Sequence, residues 1–134
     1  DAALLELLQQ WPGKKVVVIH SNHANELDDS VKDAISKLKA IGVTVLNQTV
    51  LLKGINDSAN TLVELSERLF DIGVLPYYLH LLDTVSGAAH FAISDTQAKL
   101  IMGEVTARLP GYLVPRLVRE EADKTSKTPI LPTL

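Results

Sequence analysis

Apolar positions follow two different rhythms along the chain. In four stretches, 15–20 ("KVVVIH"), 43–52 ("VTVLNQTVLL"), 75–83 ("LPYYLHLLD") and 112–120 ("YLVPRLVRE"), they crowd together and favour β-branched or aromatic types. That composition is expected of strands buried in a parallel sheet. Between the stretches, apolar residues recur every three or four positions, as on one face of a helix. Val31, Ile35, Leu38 and Ile41 make one such face, and Gly42 stands where a helix ends in a positive-φ residue. Leu62, Leu65, Leu69 and Ile72 make the next, with Asp57 or Ser58 as its cap and Gly73 as its stop. A third helix opens with Ser94 and Gln97 in capping-box spacing, turns Ile101, Val105 and Leu109 inward and ends at Pro110.

Strand, helix, glycine, strand thus recurs at a spacing of roughly 30 residues, the period of the βαβ unit. The predicted fold is α/β with parallel strands. Joints from helix to strand are short, whereas the segments after strands, "SNHANELDDS", "KGINDS" and "DTVSGAAHFAIS", are longer and polar. In parallel α/β folds ligands sit at the carboxyl ends of the strands, on such segments. The candidate residues gather there: His20, His23, Asn25 and Glu26 after the first strand, Gln48 in the second, His80 and Asp83 at the third, Glu120 and Lys127 at the fourth.

Composition narrows the chemistry. At 134 residues with 46% hydrophobic content the chain can bury one sizeable core. Its apolar runs are too short to span a bilayer, and no signal segment opens it, so a cytoplasmic location is expected. A net charge of -3, with no basic face, speaks against a nucleic-acid partner. No cysteine is present, which removes a disulfide framework, a thiolate zinc site and a thiolate-bound iron–sulfur cluster from these residues. P-loop, GxSxG and GxGxxG motifs are lacking as well. "HSNH" has metal-site spacing, but two imidazoles alone do not make a zinc site, and loop histidines making hydrogen bonds are the favoured reading. Asp83 and Glu120 could hold a cation or merely serve a turn and a solvated charge run.

Four segments in order, "NHANELDDSV", "VTVLNQTVLLKGINDS", "GVLPYYLHLLDTVSGAAHF" and "LPGYLVPRLVRE" followed by "SKTP", resemble the carboxyl-terminal half of the lysine 2,3-aminomutase family, in its elongation factor P β-lysylation branch. The resemblance runs from about residue 15 to 129. It implies a radical S-adenosylmethionine enzyme that uses pyridoxal phosphate and converts L-α-lysine to (R)-β-lysine. The implied fold is the second half of a partial TIM-like (β/α) barrel, with β/α repeats over 15–109 and a closing strand and lysine tail over 110–134. Lys127, in "KTP", falls on the family's Schiff-base lysine; Pro129 would hold Thr128 extended beside it. Asp83 and Glu120 fall on the two carboxylates that hold the distal ammonium of lysine, and His20 and Gln48 on residues near S-adenosylmethionine.

In this family a [4Fe-4S] cluster is bound by CxxxCxxC in the amino-terminal half, which this chain does not contain, so a fragment without turnover of its own is expected. Its first strand would then present an unpaired edge, favouring a homo-oligomer or strand exchange. Free β-lysine production is a second reading, opposed by Glu120 and by "EADKTS" where that branch has aspartate and a glycine-rich run. A non-catalytic α/β binding module is a third.

Overall fold

The computed structural model describes residues 2–82, 89–119 and 128–130. In chain order these form helix α1 (Ala2–Gln10), strand β1 (Val16–His20), helix α2 (Asp29–Ala40), strand β2 (Thr44–Leu51), helix α3 (Ala59–Asp71), strand β3 (Val74–Leu81), helix α4 (Asp95–Arg108), strand β4 (Arg116–Arg119) and strand β5 (Thr128–Pro129). Single 3₁₀ turns lie at Ala24–Glu26, Ala89–Phe91 and Gly111–Leu113.

The helices begin and end where short-range chemistry dictates. Asp28 accepts from the Val31 N–H, Ser58 from Thr61 and Ser94 from Gln97, each satisfying a donor that the first helical turn leaves free. Gly42 and Gly73 follow α2 and α3 with φ of 85° and 87°, a backbone region that side chains with a Cβ avoid. Pro110 follows the end of α4, as expected, although Leu109 is already extended and lies outside the helix.

β1, β2, β3 and β4 lie side by side in that order and all parallel, with β5 antiparallel at the far edge of β4. Strands laid down consecutively by right-handed crossovers place every helix on one face. The core shows the same one-sidedness. Val45, Leu65, Leu69 and Val74 pack with Ile35 of α2 and with Val17 and Ile19 of β1. Leu51, Leu79, Leu81 and Leu117 pack with residues of α3 and α4. The alternate positions, Val16 and His20, Gln48 and Val50, Tyr78 and His80, Arg116 and Val118, share the other face by register. This is the winding of a partial (β/α) barrel rather than of a doubly wound sheet.

Two expectations are corrected. The fourth strand does not reach back to residue 112: Tyr112 and Leu113 lie in a 3₁₀ turn whose bonds run from Leu113 N–H to the Pro110 carbonyl and from Val114 N–H to Gly111. Pro115, which has no N–H to give a ladder, precedes the strand proper. The sheet also gains a fifth member, because Thr128, extended before Pro129, pairs with Arg119.

Replacing Leu79, fully buried between the sheet and its helices, by alanine is expected to cost about 2–5 kcal/mol. Equilibrium urea unfolding reads this as a lower midpoint at unchanged slope. A cost under about 1 kcal/mol would show that the layer is not packed as described.

Candidate functional site

Strand β2 departs from an all-apolar core face. Val45 and Leu51 point toward the helices, and so, in the same phase, do Asn47 and Thr49. Both are buried, Asn47 to 1% exposure. They are satisfied by the chain leaving β1. Ser21 N–H donates to Asn47 Oδ1 at 2.9 Å, Asn47 Nδ2 donates to the Ser21 carbonyl at 3.1 Å and to Thr49 Oγ1 at 2.9 Å, and Thr49 Oγ1 donates to the Ser21 carbonyl at 2.8 Å.

Two further asparagines continue the pattern where strand backbone gives out. Asn22 Oδ1 accepts from Val50 N–H at 2.9 Å, filling the place of a strand carbonyl. Asn56, fully buried, donates to the carbonyls of Asn22 and Val50, both at 2.9 Å, and accepts from Leu52 N–H at 2.8 Å. Among the described residues no buried side-chain nitrogen or oxygen lacks a partner. The segment after β1 is therefore welded to the end of β2, and residues 20–22 are held at the strand ends.

Of the residues singled out from sequence, His20 ends β1 exposed, in register with Gln48 of β2, which in turn faces Tyr78 of β3. Gln48 Oε1 lies 3.2 Å from His80 Nε2. His23 is not brought to them as a ligand: its Nδ1 accepts from Asn25 N–H at 3.1 Å, capping the 3₁₀ turn, and Glu26 Oε2 accepts from Asn22 N–H at 2.9 Å. Among the described residues no group of three or more His, Asp or Glu could hold a metal ion. Asp83, Glu120 and Lys127 lie outside the described residues. Their chain neighbours are placed: Leu82 follows β3, Arg119 ends β4, and Thr128, paired with Arg119, opens β5.

Arg119, in "LVREEAD", pairs its guanidinium with Asp95 in the first turn of α4, a surface ion pair in which both side chains keep solvent contact. Lower on the open face, Tyr77 stacks closely on Tyr78, with ring centroids 3.9 Å apart. The Tyr77 hydroxyl is held above the usual tyrosine range, first by its hydrogen bond with Tyr78, then by burial and the Coulombic effect of Tyr78, with Arg116 opposing. A concavity of about 540 Å³ beside Met102, Val114, Leu117 and Ile130 is predominantly apolar, and among the described residues Arg116 alone brings it a charge. The polar strand ends are the better site.

The asparagines went unassigned in sequence, yet a signal existed. In "VLNQTVL" Asn47 and Thr49 fall in phase with Val45 and Leu51, and a polar residue in core phase demands a buried partner. Asn56→Leu, which strips partners from three backbone groups, is expected to cost on the order of 3 kcal/mol or more in urea unfolding. A cost near zero would mean that water serves those groups equally well.

No protein-family model matches the chain. It is 52% identical over 128 residues to the L-lysine 2,3-aminomutase of Escherichia coli strain K12, an alignment covering 96% of this chain and 37% of that protein. The L-lysine 2,3-aminomutase of Haemophilus influenzae is 52% identical over 91% of the chain and 36% of its own length, and that of Clostridium subterminale 34% identical over 84% and 27%. In structure the chain is similar to a radical SAM methyltransferase from Sphaerobacter thermophilus, with a TM-score of 0.59 over 91% of this chain and 39% of that one, at 20% identity, a likeness of fold alone. By sequence the chain is thus a homologue of proteins named L-lysine 2,3-aminomutase along nearly all of its own length, while spanning just over a third of theirs.

Proposed function

We propose that this chain forms the carboxyl-terminal part of a lysine 2,3-aminomutase-type isomerase that converts L-α-lysine to (R)-β-lysine. The observation that supports it most is 52% identity over 96% of the chain to the Escherichia coli protein of that name. The finer assignment, modification of elongation factor P rather than supply of free β-lysine, rests on the branch resemblance at Glu120 and "EADKTS".

The roles follow the strand ends. Asp83, after β3, and Glu120, after β4, hold the distal ammonium of lysine; a cation entering a largely apolar barrel needs such pairing. Lys127 is the amine that anchors pyridoxal phosphate, and the Arg119–Thr128 rung fixes the residue beside it. When bound, pyridoxal phosphate supplies the conjugated π-system through which an amino group shifts between adjacent carbons. His20 and Gln48, adjacent in register, stand toward S-adenosylmethionine. The [4Fe-4S] cluster does not fit these residues, because a chain without cysteine offers no thiolate, so its ligands belong to other parts of the protein. Alone, the chain is expected to turn over no lysine.

Among the described strands β1 pairs on one side only, with β2, and Val16 on it is 58% exposed. A second copy pairing along this edge is the self-association proposed. Sedimentation is expected to show species larger than monomer that grow with concentration; monomer alone at high concentration would refute it.

The cofactor assignment is tested by incubating the chain with pyridoxal phosphate, reducing with borohydride and mapping the adduct by peptide mass spectrometry beside Lys127→Ala. A single adduct at Lys127, absent from the variant, is expected. One dominant adduct on another lysine, retained in the variant, would remove Lys127 from the role.

A further inference from the structure

His80 has no role in the reading above, yet the sheet brings it to the residue that has one. Its neighbours in register are Val50 of β2 and Val118 of β4, on the face away from the helices. Its ring meets that of Tyr78 edge-on, with centroids 5.8 Å apart and planes at 63°. From there Nε2 reaches Gln48 Oε1 at 3.2 Å.

An imidazole nitrogen and an amide oxygen at that separation attract only if the nitrogen bears the proton, since two lone-pair atoms would repel. The pair as it stands bonds through a proton carried on His80 Nε2 and accepted by Gln48 Oε1, and this is the tautomer on which the inference turns. The consequence falls on Gln48. A glutamine amide presents an acceptor and a pair of donors at its two ends, and a partner on one end decides which remains for a ligand. With Oε1 turned to His80, the amide's N–H pair points the other way, at the opposite end of the group.

We propose that His80 is a positioning residue for cofactor binding, one that holds the Gln48 amide so that its donors face an acceptor-bearing ligand at the strand ends, the carboxylate or ribose oxygens of an adenosyl sulfonium compound. The inference rests on the reading of Gln48 as standing toward S-adenosylmethionine. It adds the residue that sets the polarity of that contact. A histidine suits the task because its ring, packed edge-on against Tyr78, holds the donor in one plane, which a flexible donor would not do.

The test has two readouts. Two-bond nitrogen–proton correlation on the ¹⁵N-labelled chain identifies the His80 tautomer: a proton on Nε2 is expected, and a neutral ring protonated on Nδ1 alone overturns the inference. S-adenosylhomocysteine, the thioether relative of the sulfonium, is then titrated by calorimetry into the chain and into Gln48→Ala, His80→Phe and His80→Gln. Gln48→Ala and His80→Phe are expected to weaken binding by about tenfold, the loss of one hydrogen bond, with most of it restored in His80→Gln, which keeps a donor. Binding lost in Gln48→Ala but untouched in His80→Phe overturns the role of His80 and leaves that of Gln48 standing. No binding by the unsubstituted chain, or none lost in Gln48→Ala, overturns the reading of Gln48 and this inference with it.

Discussion

Parallel strands laid in chain order can be connected only by crossovers that return over the same face, because each connection keeps one hand. In this chain that constraint decides nearly everything else. All three crossover helices, α2, α3 and α4, cover one side of β1 to β4, so every second strand residue faces a buried interior, apolar but for Asn47 and Thr49. The residues between share the opposite face, where His20 at the end of β1 stands beside Gln48 of β2 and Tyr78 and His80 of β3. Site and core are separated by one residue of register, and a slip by one would exchange them.

A sheet built this way has a weak point where its strands end, since backbone donors and acceptors continue past the last paired residue. Here three asparagine amides and the Thr49 hydroxyl take over the bonding. An amide is isosteric with a peptide group, which is why Asn22 can stand in for a strand carbonyl and Asn56 can bridge two carbonyls while accepting from an N–H. Fully satisfied polar groups of this kind stiffen a segment that packing alone leaves loose. The polar strand ends are thus rigid for a reason distinct from the hydrophobic core beneath them.

Most of the architecture was legible because it is written in local chemistry. Helix faces, the caps at Ser58 and Ser94, and the glycines at positive φ after α2 and α3 each act within a few residues, and they stand where the periodicity places them; the Asp28 cap of α2 was not singled out. What escaped has two sources. Tyr112 and Leu113 have strand-like composition, yet a local turn closed by the Pro110 and Gly111 carbonyls claims them. The partner of Arg119 lies 24 positions away, on α4, beyond the reach of any short window. For the site, His20 and Gln48 were singled out one by one, and their adjacency comes from the β1–β2 register, while the contact of Gln48 with His80 spans 32 positions and depends on the irregular β2–β3 register near Gln48. No window of sequence contains that shift.

The rung that pairs Arg119 with Thr128 has one more effect. It joins the two ends of the span between them, and closing such a span grows costlier only slowly with length, about 0.6 kcal/mol for each doubling. The return of the chain also leaves the sheet with unlike edges among the described strands, five residues of β1 on one side and two of β5 on the other, a rung too short to template a further strand.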